Sequence, residues 1–257
     1  MDKDIDIIIY GATGFTGKLC VKYFQSLDTT VTWAMAGRNL TKLEKVAEDN
    51  QTKVEILIAD SDDESALDSL TSRARVILST TGPFHRYGSK LVASCIKNHA
   101  HYVDITGENF WVKGLIEKHH AEASAKGIKI IPSCGFDSIP SDLGTFFSAK
   151  AIGKPIKRIE SFHSYKGGAS GGTLETMFSM GELDLGDDLT DPFLLNPKDS
   201  YSNEQKQLSS DRVGIARKPE ITAWSGPFIM ATANTRVVRR TEALLALRQE
   251  SYGADFT

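Results

Sequence analysis

Three glycines follow an apolar run near the start of the chain, and they constrain its fold more than any other feature. The run Ile7–Tyr10 has the composition of a buried strand, and Gly11, Gly14 and Gly17 follow it at regular spacing. A helix amino terminus presents unpaired N–H groups and a partial positive charge, so it binds phosphate where no Cβ blocks the approach. We expect Gly11 to form the tight turn, Gly14 to admit a pyrophosphate, and Gly17 to let the helix pack on the sheet. The pattern predicts a dinucleotide-binding strand–turn–helix, and the alternative is a purely structural turn.

Strand and helix signals alternate through the first part of the chain, which predicts an α/β fold with a Rossmann-type, doubly wound parallel sheet. The predicted strands are Ile5–Tyr10, Val31–Ala36, Val54–Ile58, Val76–Thr80, Tyr102–Ile105 and Ile128–Ile131. The helix signals are an apolar stripe of Cys20, Tyr23, Phe24 and Leu27, a second stripe of Leu91, Val92, Cys95 and Ile96, and a capping box of Ser61 with Glu64 before a helix over Ala66–Leu70. The stripes place two of the three cysteines on buried helix faces.

The alternation stops near the middle of the chain, so we expect a Rossmann domain over residues 1–153 and a partial α+β domain over residues 154–257. Residues 182–220 are polar and too long for an ordinary connection. They are expected to form an extended surface excursion or a partly disordered segment. The other predicted elements are a strand over Arg158–Tyr165, a short helix through Met180 after GGASGGT, a strand over Ile221–Trp224, and a helix with Val237, Val238, Leu244 and Leu245 on its apolar side.

The end of the second predicted strand indicates which dinucleotide is bound. NAD-preferring sites place an Asp or Glu there to hold the ribose 2′-hydroxyl. This sequence offers Arg38 instead, between Gly37 and Asn39. A guanidinium attracts a 2′-phosphate, so the sequence favours NADP(H) as the cofactor. The alternative is a solvated arginine on a loop.

Two more segments follow predicted strands at the sheet edge where ligands bind. Asp60 is placed either to accept a hydrogen bond from the adenine amino group or to start a helix. The segment STTGPF would pass beneath the nicotinamide ribose and offers Thr80 and Thr81 as hydrogen-bonding groups. The predicted cofactor-binding set is Gly11, Thr13, Gly14, Phe15, Gly17, Arg38, Asn39, Asp60, Thr80, Thr81, Gly82 and Pro83.

Composition narrows the class of protein further. A formal net charge of −3 gives no general attraction to nucleic acid. The acidic start MDKDID is unlike a secretory signal, and no apolar run approaches the roughly 18 residues of a membrane span. The three cysteines and six histidines have no metal-ligand spacing, so no metal is predicted. We therefore expect a soluble, cytoplasmic protein.

Four side chains are candidates for catalysis, because reduction of an enoyl or carbonyl group needs a proton donor beside the hydride donor. Tyr87 follows STTGPF, Asp104 and Glu108 lie in VDITGE, and Asp137 lies in SCGFDS. Each has a structural alternative. Tyr87 could start a helix and pack on the sheet, Asp104 and Glu108 could end a strand and cap a helix, and Asp137 could cap the following helix. The chain has no Tyr-x-x-x-Lys pair of the short-chain dehydrogenase type.

Two further groups have open interpretations. Cys134 lies at the same predicted edge as the carboxylate that follows it in SCGFDS. Arg236, Arg239 and Arg240 either form a solvated helix face or meet an anionic substrate.

The ordered segments GATGFTG, AGRN, STTGPFHRYG, YVDITGE and SCGFDSIPSDLG resemble the saccharopine dehydrogenase-like oxidoreductases, which include trans-acting enoyl reductases. GGASGGT, DPFLLNP and NTRVVRR extend the resemblance over nearly the whole chain. It implies an NADP(H)-type Rossmann domain followed by an α+β domain with the substrate surface. It also implies a lipid or acyl substrate of glycolipid assembly, because SCGFDSIPSDLG replaces the shorter Asp-Pro-Gly turn of saccharopine reductases. Eukaryotic relatives are associated with lipid droplets, so peripheral association with a droplet or membrane is expected.

Relatives continue past the segment SYGADFT, so the resemblance implies a shortened member with an incomplete substrate domain. Self-association as a homo-oligomer is expected through the surface left uncovered. The sequence thus predicts an NADP(H)-dependent oxidoreductase acting on a lipid or acyl intermediate. The alternative is a non-catalytic NADP(H)-binding sensor or scaffold.

Overall fold

The computed structural model describes residues 3–156, 158–164, 166–168 and 170–253, with the backbone of residues 255–256. The chain forms two compact units. The sheet unit consists of Met1–Thr106, Gly114–Cys134 and Ala169–Leu183, and the second unit of Gly107–Lys113, Gly135–Gly168 and Asp184–Thr257. The units alternate along the chain. The division at residue 153 stays a prediction.

Six parallel strands form the sheet that positions the site. They are β1 (Ile5–Tyr10), β2 (Trp33–Gly37), β3 (Glu55–Ile58), β4 (Ala74–Ser79), β5 (His101–Asp104) and β6 (Ile130–Ile131). Their order is β3-β2-β1-β4-β5-β6, which is that of the dinucleotide-binding Rossmann fold. The predicted fold class is confirmed. All six strands predicted for this sheet are present, the first with its predicted bounds and the others with ends shifted by up to two residues.

In the described residues, ten α-helices and four further short strands accompany this sheet. The helices are α1 (Phe15–Ser26), α2 (Leu40–Asp49), α3 (Glu64–Arg73), α4 (Phe84–Tyr87), α5 (Ser89–Lys97), α6 (Asn109–Ala125), α7 (Ile139–Ile152), α8 (Gly171–Gly181), α9 (Asn203–Leu208) and α10 (Ala231–Ala246). The strands are β7 (Arg158–Ile159), β8 (Ala216–Lys218), β9 (Ala223–Ser225) and β10 (Asp255–Phe256). Leu91, Val92, Cys95 and Ile96 of α5 are all buried, so that predicted stripe is confirmed.

The predicted apolar face of α1 is wrong in part. Gly17 and Val21 are its buried residues, and Cys20 and Phe24 pack beside them against the core. Tyr23 is exposed, and Leu27 lies beyond the end of the helix in an extended conformation. The rotation of the helix follows from Gly17, which packs against the preceding turn and carries Val21 onto the same face.

The predicted capping box before α3 is also wrong. The N-cap is Asp63, whose side chain accepts a hydrogen bond from the Ala66 N–H, and the helix begins at Glu64. Asp60 accepts a hydrogen bond from the Asp62 N–H and forms a separate turn before the helix. Ser61 lies within that turn and not at the N-cap. The carboxylate two residues after Ser61 therefore caps the helix.

Residues 182–220 lie mostly at the surface, as predicted, but the segment has some regular structure and a few buried residues. They contain a 3-10 helix over Gly186–Leu189 and then α9, and Leu194 and Leu195 are buried. The strand predicted over Arg158–Tyr165 is limited to β7, and Tyr165 lies outside the described residues. The strand predicted over Ile221–Trp224 is replaced by the 3-10 helix Pro219–Ile221 followed by β9.

The arginines of α10 explain how this polar segment packs. Arg236 is 1% exposed and Arg239 is 3% exposed, so neither a solvated face nor a substrate contact describes them. Their guanidinium groups, with that of Arg240, donate to residues 191–211: Arg236 to Asp191 O and Asp211, Arg239 to Pro192 O and Ser209 O, Arg240 to Leu195 O. Val238 is buried as predicted, whereas Leu244 is exposed.

We predict that Arg236→Met lowers the free energy of unfolding by about 2–4 kcal/mol, because it leaves the Asp211 carboxylate without its donor and removes one donor from the Asp191 carbonyl. Urea unfolding followed by circular dichroism measures the change. Arg248→Met is the matched control on an exposed arginine, with an expected change within about 0.5 kcal/mol. Equal losses for the two variants would contradict the fastening role of Arg236.

Candidate functional site

The glycine turn after β1 is shaped by contacts that only glycine allows. Gly11 has φ +88°, and a Cβ there would lie 2.3 Å from Thr81 Oγ1. A Cβ on Gly17 would lie 2.2 Å from the Gly11 carbonyl oxygen, so the start of α1 lies directly against the turn. Gly14 is the N-cap of α1 at φ −73°, a conformation that other residues also adopt. The three glycines therefore have different roles, and the close approach at Gly17 is to the turn itself.

The amino terminus of α1 has the properties of an anion-binding site. Gly14 supplies no side-chain cap, and the first turn contains no acidic residue. Within the described part of the chain, the N–H groups of Thr16 and Gly17 donate to no backbone carbonyl. Such N–H groups and the helix dipole favour a phosphate at this position. Phe15 and Thr13 adjoin it, and the side chain of Phe15 is largely exposed.

The segment after β4 flanks the turn on one side. Thr80 Oγ1 donates to the carbonyl oxygens of Tyr10 and Gly11, each at 3.2 Å, and so fastens this segment to the turn. Thr81 Oγ1 is buried and has no hydrogen-bond partner among the described residues. Gly82 and Pro83 lead into α4 through a cis peptide bond. The unpaired hydroxyl is a polar atom that a bound ligand can satisfy.

The segments after β2 and β3 converge on the other side. Arg38 is exposed immediately after β2. Asn39 is the N-cap of α2 and accepts from the Lys42 N–H at 2.9 Å. Burial raises the pKa of the Tyr10 hydroxyl, Asp60 raises it further and Arg38 opposes the shift, so both charges lie near this hydroxyl. Asp60 is part of a turn and does not cap α3, so its helix-start alternative is wrong.

Asp104 is committed to structural hydrogen bonds. Its carboxylate is buried and accepts from Tyr102 Oη at 2.9 Å, the Thr106 N–H at 2.9 Å and the Ser133 N–H at 3.0 Å. Burial and this carboxylate raise the pKa of Tyr102. The Ser133 hydroxyl in turn donates to the Thr106 carbonyl. Asp104 thus ties the end of β5 to the segment after β6, a role that its strand-end alternative anticipates.

Tyr87, the other catalytic candidate of the sheet unit, lies at the end of α4 and is partly exposed. This position is four residues after Pro83, in the same unit as the glycine turn. Tyr87 is the last residue of this short helix, so the alternative that placed it at a helix start is wrong. Cys134, after β6, is partly exposed.

Glu108 and Asp137 belong to the second unit. Glu108 is buried, and its carbonyl accepts from the Trp111 N–H near the start of α6. Asp137 is exposed, and the N-cap of α7 is the next residue, Ser138, so the capping alternative for Asp137 is wrong. Sequence reasoning missed the buried Asn234, which donates to the Asp137 carbonyl at 2.7 Å and whose Oδ1 accepts from Ser138 Oγ. The available signal was an amide within the apolar face of α10.

These features fit a dinucleotide. The glycine turn packs too closely for a Cβ at Gly11 or Gly17, the amino terminus of α1 suits a phosphate, and the Thr81 hydroxyl is unpaired in the described structure. No group of His, Cys, Asp and Glu among the described residues could hold a metal ion. None of the helices within the described ranges has the length and hydropathy needed to cross a bilayer.

Residues 7–131 match the sequence family described as "Saccharopine dehydrogenase NADP binding domain". The chain is 37% identical over 261 residues to a Mycobacterium tuberculosis protein with the provisional name of a trans-acting enoyl reductase. The similarity covers 95% of this chain and 62% of that protein. It is 34% identical over 274 residues to the trans-acting enoyl reductase of Mycobacterium leprae, over 99% of this chain and 64% of the relative. The chain thus spans less than two thirds of the length of these relatives.

Among solved structures, the apo saccharopine dehydrogenase (L-Glu forming) of Saccharomyces cerevisiae is similar with a TM-score of 0.49. The two are 18% identical, and the similarity covers 60% of this chain and 33% of that one.

We predict that Asp104→Ala lowers the free energy of unfolding by about 2–4 kcal/mol, because three buried donors lose their acceptor. Asp104→Asn keeps an acceptor oxygen for the two N–H groups, so its loss should be under about 1 kcal/mol. Urea unfolding of the two variants measures the difference. An asparagine variant as unstable as the alanine variant would show that the charge itself is required.

Proposed function

We propose that this chain is a member of the saccharopine dehydrogenase-like family, that its residues 7–131 form an NADP-binding domain, and that it is an NADP(H)-dependent oxidoreductase that reduces an acyl or enoyl substrate. The observation that carries the proposal is the glycine turn against the uncapped start of α1, at the end of a central strand. The names of the relatives support an enoyl group as the one reduced.

Different segments of the sheet unit are assigned to different parts of NADP(H). The start of α1, with the N–H groups of Thr16 and Gly17, holds the pyrophosphate, and Gly14 gives it room. Arg38 pairs with the 2′-phosphate, and Asp60 lies on the adenosine side with Asn39. Thr80, Thr81, Gly82 and Pro83 line the nicotinamide ribose. When bound, the nicotinamide supplies a hydride.

The proton donor is assigned to Tyr87. Tyr87 belongs to the sheet unit and is partly exposed, whereas the Asp104 carboxylate is buried and accepts from three donors. A neutral phenol donates a proton to a carbon or oxygen centre that gains a hydride. Glu108 and Asp137 remain candidates that belong to the second unit.

The proposal also covers the substrate surface, the substrate class, the cellular location and the oligomeric state. We assign the substrate surface to the α+β domain over residues 154–257 and the cofactor to the domain over residues 1–153. The substrate class is a lipid or acyl intermediate of glycolipid assembly. The protein is proposed to work in the cytoplasm, in peripheral contact with a lipid droplet or membrane, and as a homo-oligomer.

A second candidate function is an NADP(H)-binding sensor or scaffold without catalysis. The observation that favours it is the structural commitment of Asp104, which removes one of the two proton-donor candidates of the sheet unit. Turnover separates the two functions, because both require cofactor binding.

Gly14→Val is the variant that tests the oxidoreductase. A Cβ on Gly14 would lie 3.3 Å from the Gly11 carbonyl, and its φ of −73° accepts a side chain, so the fold should persist while the pyrophosphate is excluded. The parent should oxidise NADPH with medium-chain 2-enoyl thioesters and be stabilised by NADPH in thermal unfolding. The variant should lose both properties and keep the melting temperature of the parent without cofactor.

Stabilisation of Gly14→Val by NADPH to the same extent as the parent would contradict the phosphate site. Stabilisation of the parent without turnover of enoyl or carbonyl thioesters would favour the sensor.

We predict that Arg38→Asp weakens NADPH binding about 10- to 100-fold and leaves NADH binding unchanged or improved. A charge-assisted contact contributes about 1.5–3 kcal/mol, and about 1.4 kcal/mol corresponds to tenfold in affinity. Arg38 is exposed, so the substitution should not disturb the core. Fluorescence titration with each cofactor measures the effect. An equal loss for both cofactors would place Arg38 away from the 2′-phosphate.

A further inference from the structure

One face of the six-stranded sheet is covered over only part of its width. Parallel pairing places four apolar residues side by side across β1, β4, β5 and β6, namely Ile9, Leu78, Val103 and Ile131. Side chains paired in this way leave the sheet on the same face. Ile9 is fully buried, Leu78 and Val103 are half-buried, and Ile131 is 46% exposed. The cover on this face therefore thins from the centre of the sheet toward β6.

The opposite face of the same strands has no such gradient. Ile8, Ile77 and Tyr102 are neighbours across β1, β4 and β5, and each is 0% exposed. The sheet is therefore covered as far as β5 on this second face. Since β5 is an inner strand, its position in the sheet does not explain why Val103 is less well covered.

Helices α1 and α2 supply the cover of the first face where it exists. Ile9 packs with Val21 of α1 and Leu43 of α2 in one cluster, which reaches Leu78 at its edge and contains no residue of β5 or β6. Neighbouring strands are about 4.8 Å apart, so β4 to β6 present a strip about 10 Å wide beside α1. A helix with its side chains is about 10–12 Å across, and parallel sheets are normally covered by helices on both faces. The strip therefore has the width of one helix.

The flank of α1 that borders this strip is basic. Phe24 contacts Trp33 of β2, and β2 and β4 lie on opposite sides of β1. Lys22 precedes Phe24 by two residues, about 200° around the helix, so it lies on the β4 side, and Lys18 is one turn away on the same flank. Both lysines are exposed, and within the described ranges neither takes part in an ion pair. We define the open strip as the surface of Leu78, Val103, Ile131, Lys18 and Lys22.

The other charged groups near the open strip leave this positive charge in place. Helix α1 contains no Asp or Glu, and Asp28 comes after its carboxyl end. Asp6, at the start of β1, is paired with Arg75 at 3.1 Å. On the sheet side, His101 lies on the same face of β5 as the strip, and its Nδ1 accepts from the Lys129 N–H at 3.0 Å. Burial lowers the pKa of His101, and the charge of Lys129 lowers it further. The open strip thus combines an apolar floor with basic sides.

We propose that the open strip binds an amphipathic helix of a partner protein, with apolar residues against the floor and acidic residues beside Lys18 and Lys22. The floor lies one helix diameter below the outer surface of α1, so a flat membrane surface does not reach it. A second copy bound by two-fold symmetry would bring the same lysines against each other, which repels. An acidic helix matches both the width and the charge of the open strip. This partner is additional to the cofactor and substrate proposed above.

Fluorescence anisotropy with labelled helical peptides tests the proposal on the full chain. The probe is a cross-linked peptide of about 18 residues, which is long enough to hold a helix, with leucines on one face and glutamates on both flanks. The comparison peptide has lysines in place of the glutamates. We expect saturable binding of the glutamate peptide and at least about tenfold weaker binding of the lysine peptide.

Charge reversal on α1 gives the sharpest comparison. The double variant Lys18→Glu with Lys22→Glu should bind the glutamate peptide about tenfold more weakly than the parent and should prefer the lysine peptide. Ile131→Ser should weaken binding of the glutamate peptide about fivefold, because it removes apolar area from the floor. The matched control is Lys53→Glu with Lys198→Glu, two exposed lysines outside α1, which should bind both peptides as the parent does. Circular dichroism checks that each variant is folded.

The proposal is overturned if the parent binds neither peptide or both equally, or if the control variant loses as much affinity as the charge-reversed variant. A parent dimer in sedimentation velocity that Ile131→Ser dissociates would assign the open strip to a second copy. Loss of peptide binding when the chain is extended with the carboxyl-terminal part of the Mycobacterium leprae relative would assign it to packing within one chain. Either result would also overturn the proposal. Peptide binding is measured without NADPH, so its outcome is independent of the oxidoreductase proposal.

Discussion

The close approach of Gly17 to the Gly11 carbonyl is the contact on which the candidate site depends. A side chain at Gly17 would place its Cβ 2.2 Å from that oxygen, so only glycine lets the helix begin against the turn. This contact brings the first N–H groups of α1 to the carboxyl end of β1. Because β1 lies between β2 and β4, the segments bearing Arg38 and Thr81 follow the neighbouring strands at the same edge. Sheet order and one glycine contact thus produce a nucleotide-binding edge.

The second unit is held by a different kind of interaction. Its segment of residues 191–211 has little regular structure, so its carbonyl groups need donors from elsewhere. The arginines of α10 supply them, since one guanidinium offers several N–H groups in a fixed plane. Basic side chains here stabilise a fold, and the same residue type remains exposed at Arg217, beside Trp224. Whether an arginine of this unit is buried or exposed therefore depends on the acceptors within its reach.

The fold was predictable to the extent that local patterns determine it. Ile5–Tyr10 and the glycines predict strand, turn and helix, and the structure has all three. The rotation of α1 was not predictable from its apolar spacing, because the contact of Gly17 with the turn overrides the preference of Tyr23 for burial. Burial of Arg236 depends on Asp211 and Asp191, which no spacing within α10 reveals.

The candidate site also has a part that local sequence predicts and a part that depends on contacts between distant residues. The turn and the Thr80 contacts follow from residues adjacent in sequence to strand ends. The commitment of Asp104 depends on Ser133, which comes from another strand end, so sequence alone left its structural and catalytic interpretations open. Polar residues at strand ends are ambiguous until their acceptors and donors are known.

Amide hydrogen exchange with and without NADPH tests the central claim most directly, because it reads the N–H groups that should bind the pyrophosphate. We expect slower exchange in the segment from Thr13 to Gly17 and around Thr81, with no change in α9. Protection confined to the second unit, or no protection of the Thr13–Gly17 segment at saturating NADPH, would contradict this account.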